Sequence, residues 1–127
     1  MNIICQVSPQ ACSRILSGEK IAIIRSRVPS QLERGDTVFL YHSGQIHGYL
    51  TFEEDWIFPK FKKDHRAWLE YAARVSCLSE PAACRAMAAG PPHIIILLHP
   101  VTLPRRSFTY PKSQSFIYTN LSPSTIS

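Results

Sequence analysis

The chain has 127 residues, a formal net charge of +5 and a pI near 9.2, with 45% hydrophobic and 18% charged residues. That length suits one domain with a real core, and no apolar run approaches the roughly 20 residues that cross a bilayer as a helix. The basic balance favours anionic partners, nucleic acid among them, and carries no information about fold.

The first five residues show no basic region followed by an apolar stretch and a cleavage site, so the sequence reads as cytoplasmic. Ile3, Ile4 and Val7 open a short strand. Ser8 then offers a helix N-cap with Pro9 at the first helical position, Ala11, Cys12, Ile15 and Leu16 recur at helical spacing, and Gly18 suits a left-handed C-terminal cap. Residues 20–27 are rich in β-branched side chains and read as a strand. Side chains alternate faces along a strand, so Lys20 and Arg25 can serve one site only if a bend or the strand's start lies between them, whereas Arg25 and Arg27 are in phase.

Gly35-Asp36 marks a turn before a strand at 37–42, and Ser43-Gly44-Gln45 joins it to a second at 46–52 as a hairpin. Residues 64–75 carry a helical apolar stripe through Trp68, Leu69, Ala72 and Val75, and Ser79-Glu80-Pro81 starts another helix that stops at Gly90. Residues 93–99 and 114–119 read as strands separated by a proline- and arginine-containing loop at 100–111. Residues 1–121 therefore form a single domain and 122–127 a frayed tail. Five or six short strands with two or three peripheral helices predict a mixed α+β fold, a small β-barrel.

The candidate chemistry is cationic. Lys20, Arg25 and Arg27 emerge at the rim of a core, and guanidinium offers planar paired donors to a phosphate or a base edge. Phe108, Tyr110, Phe116 and Tyr118 lie close in sequence to Arg105, Arg106 and Lys112, a mixture that stacks bases and neutralises phosphates, although Phe116 and Tyr118 share a strand face and fit a core equally well. Gln114 and Ser115 are polar candidates there. A basic run, Lys60, Lys62, Lys63 and Arg66, follows the acidic Glu53, Glu54 and Asp55, which partly cancel its field.

His42 and His47 face each other across the hairpin, but no third ligand is placed, and Cys5, Cys12, Cys77 and Cys84 have neither zinc nor disulfide spacing. The sequence thus predicts reduced thiols, no metal and no cofactor. No nucleophile elbow surrounds Ser26, Ser43 or Ser115, and no phosphate-binding glycine loop or dinucleotide fingerprint is present.

The helix ending in Gly18, the pattern Gly-x-Lys-x-x-x-x-Arg from Gly18 to Arg25, Gly35-Asp36, Gly48 after the hairpin and the closing Gln114-Ser115-Phe116 together resemble the ASCH domains of the PUA-like superfamily, which are related to EVE domains. The resemblance implies a PUA-like barrel with a basic cleft that binds RNA, other nucleic acid or a modified nucleoside. It assigns Lys20, Arg25, Arg27, Tyr110, Gln114 and Ser115 to ligand binding, with Lys20 the one catalytic candidate.

ASCH domains resembling this chain carry glutamate two residues before the arginine, and the bacterial N4-acetylcytidine amidohydrolases carry a nucleophilic threonine there; this chain has Ile23. An aliphatic side chain is neither nucleophile nor base, so the resemblance implies binding before hydrolysis. A second glutamate of the amidohydrolases has only Glu53, Glu54 and Glu70 as positional candidates. An amidohydrolase of acylated pyrimidine nucleosides and a regulatory protein-interaction module remain the alternatives.

Overall fold

A computed structural model describes residues 1–25, 27–57, 66–79, 81, 82, 85, 93–111 and 114–126. Strand β1 (Ile3–Gln6) leads into helix α1 (Pro9–Leu16), followed by β2 (Ala22–Arg25), β3 (Thr37–His42), β4 (Gln45–Ile57), α2 (Arg66–Ser76), β5 (His93–Ser107), β6 (Phe116–Tyr118) and the single turn α3 (Pro123–Ile126). The strands form one six-stranded sheet in the order β2-β5-β4-β3-β1-β6. Only β1 and β3 run parallel; every other neighbouring pair is antiparallel. Among the described residues the sheet curls into a half-barrel with β2 and β6 as its two edges, in a mixed α+β fold.

Strict alternation lets both faces of this sheet be covered. Ile3, Cys5, Ile23, Val38, Leu40, Ile95 and Leu97 point into one cluster, which Cys12 and Ile15 of α1 close. Their neighbours Ala22, Ile24 and Ile96 point the other way, onto Ala72, Ala73 and Val75 of α2. Ile4, Phe39 and Ile46 lie under Tyr110, with Tyr41, Tyr49 and Phe108 around them. The β3–β4 hairpin closes through Ser43 and Gly44, with φ of 53° and 79°, the left-handed pair that a two-residue turn matched to strand twist requires.

Several segments differ from the sequence reading. The segment 100–107 is strand, not loop: β5 pairs with β4 as far as Ser107, while β2 covers its other side only at His93–Ile96, so Pro100 and Pro104 lie where that second edge is unpaired and a missing N–H costs no ladder bond. Between the pairs Thr51↔Leu98 and Tyr49↔Val101, β5 carries one residue more than β4, and His99, at φ 58°, takes up the irregularity. Strand β2 is shorter than residues 20–27, starting at Ala22 and ending at Arg25. Residues 123–126, expected within a frayed tail, form a helical turn. The basic run at Lys60, Lys62 and Lys63, the side chain of Arg66, Lys112 and most of the helix expected from Ser79 lie outside the described residues, as does Ser26. No helix among the described residues is long and apolar enough to cross a membrane.

Candidate ligand-binding cleft

Local structure explains how an odd spacing brings Lys20 and Arg25 together. Ser8 caps α1 by accepting a hydrogen bond from the Ala11 amide at 3.1 Å, and Gly18, at φ 83°, ends the helix in the left-handed conformation. The chain is then tied down on both sides: the Lys20 amide donates to Arg14 O and the Ile21 amide to Val75 O, each at 3.0 Å. Lys20 thus sits on the α1–β2 connection, before the strand's alternation begins, and Arg25 closes β2 at the other end.

Both line a cleft of about 550 Å³ between α1 and β2. Its other walls among the described residues are Gln6, Val7 and Ser8 at and after the end of β1, Ala11 of α1, Ile23, Ile24 and Leu78, none of them a carboxylate. Lys20 is buried and donates from Nζ to Ser76 O at 2.5 Å. Burial holds its pKa below the ordinary lysine value, and the nearby Arg25 and Arg14 guanidiniums push in the same direction against the opposing influence of Cys77. Arg25 donates to Ile24 O at 3.2 Å and to Gln6 O at 3.4 Å, while its buried Nε has no hydrogen-bond partner among the described residues. A guanidinium with an unspent N–H and a neighbouring ammonium can receive a phosphate, a carboxylate or the carbonyl edge of a base.

Arg25 also borders a tightly packed crevice on the other side of Ile23, where Arg27, Cys5 and Ser115 meet it. Burial pushes the Cys5 thiol above its usual range despite the adjacent Arg25 guanidinium, so it rests as a neutral group. Ser115 is exposed and holds β1 through its carbonyl, which accepts from the Gln6 amide at 2.9 Å. Gln114 is exposed and lines neither space. Tyr110 is buried and stacked on Tyr41 at 4.7 Å, lining neither space; its hydroxyl has no partner among the described residues, and its pKa is pushed up to about 12, by burial first.

The structure therefore joins Lys20 with Arg25, and Arg25 with Arg27 and Ser115, and leaves Gln114 apart. It adds Gln6, Ser8 and Ser76, which sequence reading passed over; the cations are held by the carbonyls of Gln6 and Ser76, and a main-chain carbonyl has no sequence signature. Ile23 is buried in the core at 4% exposure and offers no reactive atom to either space. A wider groove of about 720 Å³ lies elsewhere, beside Arg34, but Glu53, Glu54 and Asp55 line it and Arg34 is paired with Glu53, so an anion finds no free field there.

The curled sheet with its flanking helices has the fold of solved ASCH-domain structures. The ASCH protein of Zymomonas mobilis superposes on 94% of this chain and 87% of its own with a TM-score of 0.77 at 15% identity. Its serine-to-alanine and tyrosine-to-phenylalanine variants give the same TM-score of 0.77 at 14% identity, again over 94% of this chain. At that identity the likeness is one of fold. The sequence matches no protein-family model and no curated protein.

Proposed function

We propose that this protein binds RNA or a modified nucleoside in the cleft between α1 and β2. The observation that carries this reading is that Lys20 and Arg25 line one cleft whose walls, among the described residues, include no carboxylate. Among the described residues neither cation is in an ion pair, so their charge is available to a ligand. Arg25 supplies in-plane donors for a phosphate or base edge, Lys20 supplies a point charge from a fixed carbonyl anchor, and Val7, Ala11, Ile24 and Leu78 supply apolar wall for a sugar or base face. Binding is preferred to hydrolysis because position 23 is a buried isoleucine with no nucleophilic atom.

The test is anisotropy of labelled single-stranded RNA, with free cytidine and N4-acetylcytidine screened by thermal shift. RNA affinity is expected to fall as salt rises, with a slope set by the phosphates neutralised. Arg25→Gln is expected to weaken binding tenfold or more, equivalent to about 1.4 kcal/mol. If RNA, DNA and nucleosides all fail to bind at low salt, the reading is wrong and the interaction module takes its place.

A further inference from the structure

On the opposite flank of α1 lies a second groove of about 250 Å³, bounded by Pro9, Cys12, Ser13 and Leu16 of the helix, His42 and His47 of the hairpin, and Thr102, Leu103 and Arg105 of β5. The two imidazoles are stacked nearly parallel, 3.7 Å between centroids and 7° between planes. His47 Nε2 lies 3.2 Å from His42 O, and a carbonyl only accepts, so that nitrogen carries a proton. His42 Nδ1 contacts Ser43 Oγ at 3.1 Å, and no residue among those described bonds His42 Nε2.

Two facts fix the ligand's chemistry. Parallel rings point their nitrogen lone pairs along parallel planes, which do not converge on one ion, so the pair is a poor metal chelate. The charged and titratable groups facing it are Arg105 from β5, His42 from β3 and His47 from β4, while α1 contributes Ser13 and the neutral thiol of Cys12. Among the described residues no carboxylate lines the groove. One fixed cation beside two stacked imidazoles gives the groove a positive field that an anion would complement.

We propose that this groove is a phosphate-binding site for a nucleotide or free phosphate, with Arg105 and His42 contacting the phosphate oxygens and Ser13 and Thr102 as hydroxyl donors at its margin. The site stands on its own residues and does not depend on the Lys20–Arg25 cleft. It has a built-in linkage: burial, then His47 and Arg105, hold His42 below the ordinary histidine pKa, so a bound phosphate must raise its titration midpoint. Because the two grooves flank one helix of roughly 10–12 Å diameter, a short oligonucleotide that wraps α1 would engage both.

The experiment is an NMR titration of the histidine ring signals of the full chain at low salt, with inorganic phosphate and adenosine 5′-monophosphate as probes. Saturable shifts of the His42 and His47 signals, with the His42 midpoint rising by about half a unit or more, are expected. Arg105→Gln, a change at an exposed residue, should weaken the response at least about fivefold, and Lys20→Met should leave it intact. Tighter binding of the monophosphate identifies a nucleotide as the occupant, and equal binding identifies free phosphate; both support the site. Ring signals that ignore both probes, or that respond equally in Arg105→Gln, overturn it. Loss of RNA binding in Arg25→Gln with an intact His42 response would separate this site from the cleft.

Discussion

Under α1 the sheet is filled to the last methyl: a Cβ on Gly48 would lie 2.5 Å from Val101 O and 2.6 Å from Leu16 Cδ2. Elsewhere three buried polar atoms, Arg25 Nε at the cleft between α1 and β2, Ser76 Oγ behind Lys20 and Tyr110 Oη in the cluster with Tyr41, have no hydrogen-bond partner among the described residues. Each such orphan costs about 1–3 kcal/mol, as much as a well-packed side chain contributes. The difference locates the two tasks of the molecule. Rigidity comes from the packed face, where glycine is the one residue that lets helix and strand touch. Of the three, Arg25 Nε alone belongs to a residue that lines the cleft, so that is where an unspent donor and open space coincide.

The most damaging change should be Gly48→Ala. The added methyl meets the Val101 backbone oxygen of β5, which cannot turn aside, and the Leu16 side chain of α1, so the β4–β5 pairing must shift locally, at a cost of about 2–3 kcal/mol in denaturant unfolding. Unchanged stability would mean that the two regions are equally plastic. Lys20→Met is the reciprocal case: it removes a buried ammonium whose charged form burial already disfavours, so stability should stay within about 1 kcal/mol while RNA affinity falls tenfold or more. A large stability loss with binding intact would make Lys20 a structural residue.

Tyr110→Phe probes the orphan hydroxyl. Removing Oη leaves nothing unpaired, so at neutral pH the variant should be equal to or up to about 1 kcal/mol more stable than the parent. The pH dependence has a definite sign. Because the folded pKa of Tyr110 is raised from 10.0 to about 12, the native state keeps a proton that the unfolded chain loses across that interval. Stability therefore falls as pH rises through it, and the parent should lose more than Tyr110→Phe there. Identical pH profiles would refute the assignment. The smallest effect should come from Arg34→Ala beside the acidic groove: its pair with Glu53 is largely exposed, so less than about 0.5 kcal/mol and no change in RNA affinity are expected.

How far the sequence could be read depended on the range of the interaction. The capped helix after Ser8-Pro9, its end at Gly18, the Ser43-Gly44 hairpin and the pairing of strand with helix rest on forces acting within a few residues, and each could be read locally. The glycine, lysine and arginine of the α1–β2 segment also pointed to the ASCH fold that the solved structures share. The extent of β5 was hidden because Pro100 and Pro104 signal a loop until one knows that β2 leaves that edge bare.

The sequence by itself thus determined most local elements and the fold class, and it singled out Lys20 and Arg25 as candidates for a ligand. Tertiary structure alone decided which groups those cations meet: Lys20 Nζ reaches the Ser76 carbonyl 56 positions away, and Arg25 reaches the Gln6 carbonyl 19 positions away. It alone also brought Arg105 beside the His42–His47 pair. The physical reason is that periodicity and capping are properties of neighbours along the chain. Burial, orphaned donors and the choice of carbonyl partner arise from segments that meet only when the sheet has curled.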